Sequence, residues 1–148
     1  MLKPLHKFIL LLLIAAYAFE GYADERRRHT VNVTEPPAMQ ISIDVYEYDS
    51  VDVHPQFPGG DIEMVSFING ERRYPLSAYR EGIEGRVLCS FIVNADGSLS
   101  HISVIRGVEE SLDREAVRIL SKMPDWIAGE VDENPVAVYC ILPIPFRI

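Results

Sequence analysis

Arg86-Val87-Leu88-Cys89-Ser90-Phe91-Ile92-Val93, then Asn94-Ala95-Asp96-Gly97, then Ser98-Leu99-Ser100-His101-Ile102-Ser103-Val104-Ile105 is the stretch that decides the fold. In the first run Val87, Cys89, Phe91 and Val93 fall on one parity and Leu88, Ser90 and Ile92 on the other. In a strand that parity separates two faces. Asp96-Gly97 supplies the hairpin signal, because glycine accepts the left-handed backbone of a tight turn. The second run is the return strand. Its parity slips between Leu99 and Ile102, which predicts a bulge near Ser100-His101.

Downstream, Leu112, Ala116, Ile119, Leu120 and Met123 recur at helical spacing. They predict an amphipathic helix over 112–123, with Ser111 as N-cap and Pro124 as its end. A loop with Trp126 and Gly129 leads to a last strand. There Val136, Val138, Cys140, Leu142, Ile144 and Phe146 alternate with Ala137, Tyr139, Ile141, Pro143 and Pro145. Upstream, Phe57-Pro58-Gly59-Gly60 is a turn. A short helix over 61–69 follows, with Ile62, Val65 and Ile68 on one face and Gly70 as its stop. Pro75 opens a second short helix that ends at Gly82. The expected fold class is α+β: a two-layer domain with a three-stranded antiparallel sheet, one amphipathic helix packed on it, and short helices before it.

The N-terminus follows a different pattern. Two lysines precede the apolar run Phe8 to Phe19, and Gly21-Tyr22-Ala23 follows it. This order predicts a secretory signal peptide over 1–23, cleaved after Ala23. The run has 12 residues, short of the roughly 20 a spanning helix needs. An uncleaved inner-membrane anchor is the alternative. Residues 24–53 form a short spacer with strand-capable pieces at 30–34 and 39–45, and residues 54–148 form the domain. Residues 24–50 reach at most about 95 Å fully extended. Export places the protein in the periplasm. The segment 39–48 can also pair with the last strand of its own chain and block that strand's edge.

The chain of 148 residues has a formal net charge of −8, which argues against nucleic acid as a partner. It contains no nucleophile elbow, no phosphate-binding loop and no dinucleotide fingerprint. His29, His54 and His101 stand apart without ligand spacing. The expectation is a protein that is not an enzyme and takes no cofactor or metal. Pro143 and Pro145 cannot donate to a sheet ladder, so the last strand is an edge over at least its C-terminal part. An apolar edge is a template for another strand, whether from a partner or from a second copy in a homodimer. Cys89 and Cys140 lie on the buried parity of two strands. Export allows a disulfide between them if the register brings them together; two buried thiols are the alternative.

A series of residues carries a family resemblance. It begins with Phe57-Pro58-Gly59-Gly60 and continues through Tyr74-Pro75, Ala78, Gly82-Ile83, Gly85 and Val87. Asp96-Gly97-Ser98, Arg106-Gly107, Leu112-Asp113 and Glu115-Ala116 follow in order. Met123-Pro124, Trp126, Gly129, Pro135-Val136 and Leu142-Pro143-Ile144 close it. Together these resemble the C-terminal domain of TonB, in the variety with Phe-Pro-Gly-Gly at its front. The resemblance implies a role in energy-coupled transport. In that role the last strand, at Val136, Ala137, Val138, Tyr139, Cys140, Ile141 and Leu142, takes the TonB-box peptide of an outer-membrane TonB-dependent transporter by strand addition. It implies a second contact just before Tyr-Pro, here Glu71, Arg72, Arg73, Tyr74 and Pro75. If the N-terminus is an anchor, it implies inner-membrane motor proteins as further partners. The short spacer, which lacks a proline-rich tract, points to an alternative: a free-standing envelope interaction module uncoupled from the proton motive force.

Overall fold

Alternation of apolar residues on two neighbouring strands generates the centre of the sheet. The computed structural model describes residues 28–32 and 42–148. The expected signal peptide over 1–23 lies outside them. Strands β1 (Arg28–Asn32), β2 (Ser42–Glu47), β3 (Gly85–Val93), β4 (Leu99–Arg106), β5 (Gly129–Val131) and β6 (Asn134–Phe146) alternate with helices α1 (Asp61–Glu71), α2 (Leu76–Arg80) and α3 (Glu110–Ser121). The main sheet has the order β1-β2-β6-β3-β4, and β5 folds back on the start of β6. The expected antiparallel trio β4-β3-β6 forms its centre. Beyond that trio, β2 adds to β6 in parallel and β1 adds to β2.

The parity read from the sequence holds across the central pair. Val87, Cys89, Phe91 and Val93 of β3 stand beside Ile144, Leu142, Cys140 and Val138 of β6. Apart from the half-buried Leu142, these side chains are buried. On this face lie Leu112, Ala116, Ile119 and Leu120 of α3, each 1% exposed or less. Burying a leucine or isoleucine this fully contributes about 1.5–3 kcal/mol. The opposite face carries a smaller cluster, Val45, Ile92 and Ala137, with Tyr139 against it.

The turns follow their local chemistry. Gly97 has φ +88°, and the Asn94 amide donates to the Ser98 carbonyl at 3.0 Å. A Cβ on Gly97 would lie 2.1 Å from the Trp126 carbonyl oxygen. The Trp126 N–H in turn donates to the Gly97 carbonyl at 2.8 Å. Trp126 meets Phe57 and Phe91 edge-on, with centroids 5.8 and 5.4 Å apart. Phe57 is therefore the core anchor of the Phe-Pro-Gly-Gly turn, and Gly59 and Gly60 supply its positive φ values. Backbone bonds between Gln56 and Ile127, and from Val53 to Glu130, tie the entering chain to the loop before β6.

The bulge expected near Ser100-His101 is present. The register slips between Ser90 and Ile92, and His101 has φ +51°. A second slip between Leu88 and Cys89 leaves Ile105 as an extra residue on β4. Three local expectations need correction, and the register bears on the alternatives for the two cysteines. Gly70 does not stop α1; it lies inside the helix, which ends at Glu71. The inward side of α1 is Met64, Phe67 and Ile68, while Ile62 and Val65 are 83% and 53% exposed. Phe67 fixes that choice by packing against Phe57. Glu109, not Ser111, caps α3: its carboxylate accepts from the Ser111 N–H at 3.0 Å. Cys89 and Cys140 are free buried thiols. The register pairs Cys89 with Leu142 and Cys140 with Phe91. The two cysteines are thus diagonal neighbours, a less favourable spacing for a disulfide than directly opposite positions.

Candidate partner-binding site along the outer edge of the last strand

β6 has two margins. Its inner margin pairs with β3 from Val138 to Phe146. Its outer margin is divided. Asn134, Pro135 and Val136 pair with β5. Ala137, Val138 and Tyr139 stand opposite Val45, Tyr46 and Glu47 of β2. From Cys140 onward no strand among the described residues pairs with the outer margin.

The expected binding stretch, Val136 to Leu142, is therefore mostly covered by its own chain. Val136 belongs to the β5 pairing, and Ala137 to Tyr139 belong to the β2 pairing. Val45 explains why β2 stays there: it is 2% exposed and packs with Ala137 and Ile92. The self-pairing of segment 39–48 considered in the sequence is realised over Val45–Glu47. Of the expected stretch, Cys140, Ile141 and Leu142 have no outer pairing among the described residues.

Backbone direction on the open part follows from one contact. The Arg72 guanidinium donates through Nη1 to the Pro145 carbonyl at 2.5 Å. That carbonyl faces away from β3. Backbone groups alternate sides along a strand, so Ile141, Pro143 and Pro145 present theirs outward, whereas Cys140 and Leu142 face β3. Pro143 and Pro145 have no N–H. The open margin thus offers the Ile141 N–H as donor and the Ile141 and Pro143 carbonyls as acceptors, while the Pro145 carbonyl is taken by Arg72. The Ile141 side chain is 52% exposed.

The second expected contact, Glu71 to Pro75, meets β6 only at its C-terminal end. Most of these residues have internal partners. The Glu71 carbonyl accepts from Arg118 Nη2 at 2.5 Å. The Arg73 N–H donates to the Glu115 carboxylate at 2.8 Å. Arg118 completes this latch at 2.8 Å from Glu115. Burial works to raise the Glu115 carboxyl, but hydrogen bonds from Arg118 and Arg73 and their charges hold it below its ordinary value. The Tyr74 hydroxyl donates to the Ile83 carbonyl at 2.5 Å, and its ring meets Phe146 edge-on. Pro75 precedes α2 as its N-cap. Only Arg72 turns toward the β6 margin. The residues missed in the sequence are Arg86 and Arg147, which join Arg72 around Pro143 and Pro145. The parity of β3 and β6, which sets Arg86 opposite Pro145, was the available signal.

Burial accounts for the thiols as well. It raises Cys140 to about 12. It raises Cys89 to about 11, helped by the charge of Asp113. Both stay protonated in ordinary buffers.

Strand, strand, helix and strand in two layers, with a last strand whose outer margin is only partly paired among the described residues, define a small α+β domain. The model of the Gram-negative bacterial TonB protein C-terminal family matches residues 70–148, and the chain belongs to that family. It is 51% identical over 87 residues to Protein TonB of Helicobacter pylori strain J99, covering 59% of this chain and 30% of that protein. A second Protein TonB, from H. pylori strain 26695, is 51% identical over 45 residues, covering 30% of this chain and 16% of that one. The chain thus spans less than a third of the length of either relative. Two solution structures of the H. pylori TonB C-terminal domain are also similar. The one of residues 179–285 has a TM-score of 0.46 at 28% identity, covering 59% of this chain and 78% of that one. The one of residues 194–285 has a TM-score of 0.45 at 30% identity, covering 57% and 89%.

Proposed function

We propose that this chain receives an extended segment of an outer-membrane TonB-dependent transporter on the outer margin of β6, on the periplasmic side of that membrane. The observation that carries the proposal is β2. A strand of the same chain already lies along that margin over Ala137–Tyr139, in parallel register. The open stretch beyond Tyr139 lets a longer strand continue where β2 turns away at Tyr48–Ser50. Membership in the TonB family supports a role in energy-coupled transport. Strand addition calls for no catalytic residue and no cofactor. Titration with TonB-box peptides, followed by amide shifts in labelled protein, tests it. Shifts of Tyr139 and Ile141 are expected; peptides that leave both unmoved at saturating concentration defeat it.

The occupied margin favours a second role, a free-standing envelope module that releases its own strand only for a strong competitor. The mature N-terminus separates the two. A chain retaining Met1 in the inner membrane supports energy coupling, and a chain starting at Asp24 supports the uncoupled module.

A further inference from the structure

At the open end of β6 lies a cavity of about 370 Å³, lined by Asn69, Arg72, Arg86, Pro143, Pro145 and Arg147. Three arginines line one small space in a chain whose net charge is −8. Among the described residues no carboxylate lines it. Arg72 is fixed there by the Pro145 carbonyl and by Asn69 Oδ1, at 2.6 Å. Among the described residues, Arg86 and Arg147 make no ion pair. The nearby Glu84 carboxylate accepts from the Ile148 N–H at 2.5 Å and is not part of the lining. Like charges brought together without a counter-charge repel, and arginine forks suit a planar carboxylate. The volume is at the low end of small-molecule clefts and is ample for one acidic side chain.

Register relates this space to the strand margin. β2 runs parallel to β6 with Glu47 opposite Tyr139, then leaves. A strand that kept the same course would place its next residues opposite Ile141, Pro143 and Pro145. Pro145 is itself opposite Arg86 on β3. Residues opposite one another share a face of the sheet. A side chain four or six positions beyond the residue facing Tyr139 therefore projects on the same face as Arg86.

We infer that the pocket formed by Arg72, Arg86 and Arg147 is a carboxylate site for an Asp or Glu of the incoming strand, four or six residues C-terminal to its contact with Tyr139. The inference rests on strand addition at β6 and adds a sequence requirement to a contact otherwise made through backbone. Arg86 and Arg147 act as specificity residues, and Arg72 supplies the third guanidinium while holding the end of the strand.

The test uses the full chain and a set of capped ten-residue peptides of alternating Thr and Val. One Glu is moved through the C-terminal half of the peptide, and each has a Gln counterpart. One Glu placement is expected to bind about tenfold more tightly than its Gln twin, as one charge-assisted hydrogen-bonded contact would give. Raising the salt should shrink that preference. In the double variant Arg86→Gln/Arg147→Gln the preference should vanish while the Gln peptides keep their affinity. Equal binding of Glu and Gln peptides at every placement, with the Tyr139 and Ile141 amides still shifting, overturns the carboxylate site and leaves strand addition standing. Peptides that fail to move those amides at all overturn both.

Discussion

The Arg73 N–H points into the Glu115 carboxylate at 2.8 Å, fastening the segment before Tyr74 to the middle of α3. Glu115 is 9% exposed and is shared with Arg118. Removing its charge leaves a half-buried guanidinium and a backbone donor poorly satisfied. Glu115→Gln should lower stability by about 2–3 kcal/mol at neutral pH. The folded-state carboxyl lies below its ordinary value of 4.5, so its contribution is complete above that value. It is lost as pH falls through the lower, folded value. Urea unfolding midpoints of the two proteins should differ by a constant amount at neutral pH and converge in acid.

Cys89 and Cys140 should resist alkylation in the folded protein. Both are buried, and both thiols are held well above neutral pH. Iodoacetamide at pH 8 should add nothing to the native chain within the time that labels both cysteines in urea, because only the thiolate reacts. Mass spectrometry reads the result. Rapid native labelling of either residue would mean that β3 and β6 open far more readily than their packing implies.

Gly97→Ala should be severe for a one-carbon change. The position has φ +88°, and the new Cβ would press on the Trp126 carbonyl at 2.1 Å. Left-handed backbone alone costs a residue with a side chain about 1–2 kcal/mol, and the clash adds to it. A loss of at least about 2 kcal/mol is expected. The turn and the Trp126 loop share this contact, so Trp126 fluorescence should shift to longer wavelength before the main unfolding transition.

Val45→Asp should free the β6 margin without unfolding the domain. Val45 belongs to the small cluster with Ile92 and Ala137, separate from the core under α3. Placing a charge there undocks β2. A ligand that must displace β2 binds more weakly by the fraction of molecules already open. The variant, and likewise a chain lacking residues 24–48, should bind TonB-box peptides several-fold more tightly by calorimetry. Unchanged affinity would show that β2 does not compete.

Much of this fold was legible because it is written in local periods. The two parities of β3, the spacing of Leu112, Ala116, Ile119 and Leu120, and the Asp96-Gly97 turn each need only neighbouring residues to be read. Pro143 and Pro145 also signalled the open part of β6 correctly, through chemistry a proline cannot perform. What stayed hidden depends on contacts distant in sequence. Ile62 and Val65 share a helical spacing with Ile68, yet Phe57 draws Met64 and Phe67 inward instead. Ser111 has the right chemistry for a cap, but the helix begins at Glu110, so Ser111 lies in its first turn and donates its own N–H to Glu109. Arg86 and Arg147 are unremarkable alone; only the β3–β6 register brings them to Arg72.

The two extra residues on β4 have an effect beyond the hairpin. With His101 in left-handed backbone and a second slip at Ile105, the far margin of the sheet is stepped, and a stepped margin is a poor template for a neighbour. Along β4, copies of this chain lack the flat edge that head-to-tail fibres need. The β4 margin is therefore guarded by backbone geometry, without a proline to block pairing there.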